Sequence, residues 1–177
     1  MGMTILDRLL GHDAWTTRQL LLRCQSLSDE QMHYEFDIDN RSLSATLGHL
    51  ISAMEFHTDR LLGRTISESY REDTSVNGML LRLTAVAKDF AAFAMKVERE
   101  GRENEMMTNE ANENLRTVGG VIAHVVTHNM HHRAQAMYIM GKLGMSNIIE
   151  GDVLGWEAVA RGWGWADGGS TGTMLVE

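Results

Sequence analysis

None of the 177 residues is proline. Proline fixes φ, removes a backbone donor and kinks or ends helices, so a chain without it can run long helices unbroken. The 17 glycines then have to supply most of the turns. Apolar residues make up 44% and charged residues 23%, an ordinary balance for a chain long enough to build a full core. No proline- or serine-rich linker divides it.

Net charge narrows the partners. At −8 the chain is repelled by phosphate backbones and anionic lipid, and no Lys/Arg cluster builds a basic patch, so neither nucleic acid nor membrane is an expected partner. The single cysteine, Cys24, excludes an intramolecular disulfide framework and suits a reducing cytoplasm. The N-terminal stretch is broken by Asp7, Arg8, His12, Asp13, Arg18 and Arg23 and does not read as a signal peptide. No apolar run approaches transmembrane length.

Periodicity places the helices. Thr4 is a candidate cap for a helix from Ile5 to about Gln25, with Leu6, Leu10, Leu20, Leu21 and Cys24 in one arc. Asp13 and Thr17 project into the middle of that arc. A buried carboxylate needs a partner: a histidine, an arginine, or solvent in a cleft. Metal-bound histidines often pass their free N–H to a carboxylate, which is one use for Asp13. Ser28 and Gln31 fit a capping box, so a short helical turn should follow. Residues 34–41 have no helical period and read as a connection.

A second long helix should begin after Ser42 or Ser44 and end at Gly63, a natural C-cap. Its core face is Leu47, Leu50, Ile51, Met54, Leu61 and Leu62. His49 lies roughly opposite that stripe, where a histidine is more often a packed or surface residue than a ligand. Residues 64–77 are polar and read as a loop. A third helix fits Val76 or Gly78 to about Glu100. Residues 101–116, with Glu103, Glu105, Glu110 and Glu113, read as a solvated, mobile connection.

The fourth long helix, Thr117 to Leu143, carries the chemistry. Its apolar residues point in several directions, so it should be buried almost all round. Gly119 and Gly120 cost helix propensity and make sense if a neighbouring backbone packs closely there. His124, His128, His131 and His132 share one arc. Residues four apart lie on one face with Cβ atoms roughly 5–6 Å apart, so His128 and His132 can grip one metal ion from one side. The spacing is that of His-Glu-x-x-His, but Asn129 stands where the protease glutamate would be. A solvent-facing or pH-sensitive histidine cluster is the alternative. Asp152 can cap a last short helix, Val153 to Ala160. Trp156, Trp163 and Trp165 follow closely enough to close the core end or meet another subunit.

Three stretches together resemble the DinB (damage-inducible) family of four-helix-bundle metalloproteins, which is distinct from the similarly named DNA polymerase. They are His12-Asp13-Ala14-Trp15, Ser42-Leu43-Ser44-Ala45-Thr46-Leu47-Gly48-His49-Leu50, and Gly119 to Gln135 with its HVVTHNMHHRAQ core. The closing Gly151-Asp152-Val153-Leu154 agrees, and the resemblance spans nearly the whole chain. It implies an all-α fold: an up-down-type four-helix bundle with short extra helical turns, one domain over residues 1–167, and a flexible Gly-rich tail over 168–177. It also implies three histidine ligands, which carried across are His49, His128 and His132. The divalent metal of the family is nickel or zinc, sometimes iron, and many members are homodimers.

Members of this fold include enzymes that use low-molecular-weight thiols as S-transferases or isomerases. The resemblance thus implies a metal-dependent enzyme, cytoplasmic, that activates a thiol or water toward a small electrophilic substrate, with a thiol transferase ahead of a hydrolase. The alternative is a non-catalytic metal-binding stress-response protein that acts by dimerisation or by sequestering metal. His131 would neighbour a ligand without being one, and His124 would be a fourth ligand or a group supporting the ligands. His57 stands where relatives often carry an aromatic residue, which makes the pocket wall more polar.

Overall fold

The computed structural model describes residues 2–38, 41–66, 73–107, 116–146, 148 and 151–163. Its helices start where the sequence offers caps. The Thr4 hydroxyl accepts from the Asp7 N–H while the Asp7 carboxylate accepts from the Thr4 N–H, closing a capping box on α1, Ile5–Cys24. Ser28 and Gln31 form the expected capping box on α2, Asp29–His33. Ser42 caps α3, Leu43–Leu62, which stops at Gly63 with φ 65°, a left-handed turn that glycine adopts without strain. Ser75 and Gly101 bound α4, Val76–Glu100. Thr117 caps α5, Val118–Lys142, and Asp152 caps α6, Val153–Ala160.

The fold is an all-α bundle, as expected. In it α1 packs on α4 and α5, and α3 packs on the same two. Directions follow from named contacts. Thr4 meets Glu98 and Gln25 meets Asn77, so α1 and α4 run antiparallel. His49 meets His132 while His57 meets His124, so α3 and α5 are antiparallel too. Arg82 binds Ser52 and Glu55 whereas Arg64 binds Asp89, which sets α3 and α4 parallel. The long helices therefore do not simply alternate up and down.

Leu20, Leu21, Leu47, Leu50, Ile51, Met79, Phe90, Ile139 and Met140 are fully buried and fill the centre. Cys24 lies among them, and burial pushes its thiol up to about 12, leaving it neutral. The close approach read from Gly119 is real: a Cβ there would sit 2.9 Å from the Glu103 carbonyl oxygen. That carbonyl accepts from the Gly119 N–H at 2.8 Å.

Two expectations need correction. The connection 101–116 is not wholly irregular, because β1, Met106–Met107, pairs antiparallel with β2, Arg116–Thr117. Glu110 and Glu113 lie outside the described residues. Nor is α5 buried all round. Val121, Ile122, Val125, Ile139 and Met140 are inside, but Met130 and Tyr138 are more than half exposed. Apolar side chains facing several ways do not by themselves show burial, since much of any protein surface is apolar.

At the chain end, Trp156 packs against Gly11, where a Cβ would collide with its indole. Trp163 is exposed beneath Arg161. Trp165 and the tail 168–177 lie outside the described residues. No described helix is long and apolar enough to cross a membrane.

Candidate metal centre

Two interleaved pairs on α5 organise the site. His128 and His132, four residues apart, face α3. Asn129 and Arg133, each one residue further and so about 100° round the helix, face α1. The first pair meets His49. Its ring lies 5.3 Å from that of His128 and 4.7 Å from that of His132, centroid to centroid. One ring nitrogen from each of the three lies within 4.8 Å of the other two. The structure therefore brings together the three histidines expected from the resemblance, from two helices and 83 residues of sequence separation between His49 and His132.

The donor set fits a metal ion. His132 Nδ1 is 2.6 Å from Gln135 Oε1, an acceptor, which assigns the Nδ1 proton to His132 and makes its Nε2 the acceptor nitrogen. That Nε2 is 3.1 Å from His128 Nε2, so two ring nitrogens converge on one point. Burial, reinforced by His132, His49 and His124, lowers the His128 pKa to about 4. It is therefore neutral near pH 7, the form in which imidazole binds metals. Three imidazoles with no carboxylate among them suit zinc, nickel, copper or iron.

Gln135 carries a role the sequence did not disclose. Its amide oxygen accepts from His132 and its nitrogen lies 3.3 Å from His131 Nε2. His131 thus holds the glutamine that holds the His132 ring. Its spacing, three residues after His132 on the same helix, was the available signal. Losing such an outer hydrogen bond typically costs metal sites about 10–100-fold in affinity. Gln135→Met is expected to weaken zinc binding within that range, read by competition with a chromophoric chelator, while the metal-free helix content stays the same.

Asp13 has found an arginine. Its carboxylate pairs with Arg133 and accepts from Asn129 Nδ2 at 2.8 Å. All three side chains are buried. Burial pushes the Asp13 pKa up against the opposing pull of Arg133 and Asn129. The use of Asp13 to orient a metal-binding histidine is thus not what the structure shows. Asn129, at the position of the protease glutamate, gives its amide N–H to Asp13 on α1. A glutamate there would bury a second negative charge beside Asp13. Glu55 is likewise engaged elsewhere, paired with Arg82 at 2.6 Å.

His57 and His124 meet next along the same two helices, 5.2 Å apart by ring centroid, and His124 lies 5.4 Å from His128. Neither joins the converging group of three.

Fold and site define a class: a helical bundle in which two antiparallel helices present three imidazoles able to hold a metal ion. The chain belongs to the DinB family, whose sequence model matches residues 1–152. No curated protein matches it.

Proposed function

We propose that this DinB-family protein is a metal-dependent enzyme that activates a thiol or water toward a small electrophile, most nearly a thiol S-transferase, with His49, His128 and His132 as the ligands. The observation that carries this reading is the converging three-histidine group with no carboxylate in it. A divalent ion held there by imidazoles alone would keep its full charge and would lower the pKa of a thiol or water toward neutrality. Nickel or zinc fits best, with iron next.

The chain's own residues then orient and exclude. Gln135 fixes the His132 ring so that Nε2 faces His128. Asp13 and Arg133 lock α5 against α1, which fixes the rotation of α5 and hence the direction of both its ligand histidines. Among the described residues no carboxylate joins the group, and Asp13 and Glu55 are both tied to arginines. A thiol needs less help than water in losing its proton, since its own pKa lies nearer neutrality. That favours thiol chemistry over hydrolysis.

The test uses protein purified without a histidine tag and loaded with Zn²⁺ or Ni²⁺. Conjugation of small thiols to chlorinated or epoxide electrophiles is expected to proceed above the rate of the metal-free protein. Equal rates with several thiols would instead assign a non-catalytic, metal-holding role.

A further inference from the structure

We infer that Asn129 is the positioning residue for His128: when His128 ligates through Nε2, its ring proton moves to Nδ1 and is received by the Asn129 amide oxygen. This role rests on the proposed ligand function of His128 and not on the reaction proposed for the site.

Hydrogen bonds fix where the ring protons of α5 lie. His132 gives its Nδ1 proton to Gln135, so its Nε2 can only accept. The partner of that nitrogen is His128 Nε2, at 3.1 Å. A hydrogen bond between the two needs a donor, and His128 supplies it. Its proton therefore lies on Nε2, and its Nδ1 carries the lone pair. The two helix histidines hold opposite tautomers. His132 is already in the form that ligates through Nε2, and His128 is not.

Asn129 offers the missing acceptor. Its side chain is buried, 1% exposed. Its amide nitrogen donates to the Asp13 carboxylate at 2.8 Å and lies 3.7 Å from Met54 Sδ. An ionised carboxylate only accepts, so the amide cannot turn over and its oxygen is held at the other end. That oxygen, Oδ1, has no hydrogen-bond partner among the described residues, a costly state for a buried carbonyl. Burial, His132, His49 and His124 all oppose a further proton on the His128 ring, and only the Asn129 side chain favours one. The amide thus lies within reach of that ring. The orphaned oxygen then has a simple cause: Oδ1 and His128 Nδ1 are both acceptors, with no proton to share.

Ligation through His128 Nε2 supplies that proton. The Nε2–H bond breaks, one proton is released to solvent, one is taken up at Nδ1, and the ring stays neutral. The new Nδ1–H donates to Oδ1, which is then satisfied. His128 ends as His132 begins, with Nε2 ligating and Nδ1–H held by a side-chain amide oxygen. Such outer hydrogen bonds orient metal-bound histidines and raise their basicity. The buried Asp13–Arg133 pair acts on the site through Asn129, because Asp13 decides which end of the amide His128 meets.

The test reads the proton itself. Untagged protein with isotope-labelled histidine is compared metal-free and zinc-loaded by proton–nitrogen NMR correlation of the imidazoles, which tells a protonated ring nitrogen from a bare or metal-bound one. His128 is expected to carry its proton on Nε2 without zinc and on Nδ1 with it, the latter exchanging slowly with solvent. Asn129→Leu, close in size, is expected to lose the slow signal and to weaken zinc binding about 10–100-fold. A proton on Nδ1 before zinc is added, or one still on Nε2 in the zinc-loaded protein, would overturn the role of Asn129. So would an Asn129→Leu protein that binds zinc within about twofold of wild type. If that variant does not fold, the wild-type spectra decide alone. Failure of the ligand reading looks different: zinc that is not taken up, or that leaves the signals of His49, His128 and His132 unmoved, sinks both.

Discussion

His132→Ala is expected to release most of the bound metal and to weaken zinc binding by more than the roughly 10–100-fold that loss of an outer hydrogen bond costs. His132 is the hinge of the group: its ring is 4.4 Å from that of His128 and 4.7 Å from that of His49. It is also the one of the three that is buried rather than half-buried. Without it the two remaining nitrogens come from different helices, and nothing fixes their separation. The metal-free variant should unfold near the wild-type temperature, because alanine is a good helix former. Added zinc should then separate the two. A ligand at about 100 times its Kd stabilises the folded state by about 2.7 kcal/mol. Wild type should show that rise in Tm and the variant little of it. Equal rises would mean that the metal binds elsewhere.

Asp13→Leu is expected to be the most damaging single change outside the hydrophobic core. The Asp13–Arg133 pair is almost wholly buried, and removing one partner of such a pair strands the other charge, at about 3–5 kcal/mol. For a chain of this length that is a fall in Tm of roughly 10 °C. The double variant Asp13→Leu/Arg133→Met should recover most of the loss, since apolar replacement of a whole buried pair is often neutral or better. Zinc affinity should not recover to the same degree if the pair also sets the rotation of α5. Thermal melts of the single and double variants check the first claim, and chelator competition checks the second. A single variant that melts within about 2 °C of wild type, below the shift expected for 1 kcal/mol, would mean that Arg133 finds another partner.

How much of this was legible in the sequence differs residue by residue. The helix limits were, because Thr4, Ser28, Ser42, Gly63 and Asp152 are caps whose chemistry is local. The pair His128 and His132 was legible from spacing alone. His49 was not: on its own helix it stands off the apolar stripe, and only the family resemblance nominated it. Asp13 announced that it needed a partner, but not which one, since Arg133 lies 120 residues away and its meeting with Asp13 is a tertiary fact. The parallel course of α3 and α4 had no local signal either. The pairing of β1 with β2 involves two residues on each side, too few for any alternation to show. The apolar residues of α5 misled in one respect, because Met130 and Tyr138 are outside rather than in the core.

The most direct test of the central claim, that His49, His128 and His132 form one metal site, is the metal content of untagged protein after reloading with Zn²⁺ or Ni²⁺ and removal of the excess. Elemental analysis should find about one equivalent per chain, held by the nitrogens that the structure gathers within 4.8 Å. Less than about a tenth of an equivalent, with the protein folded, would contradict it.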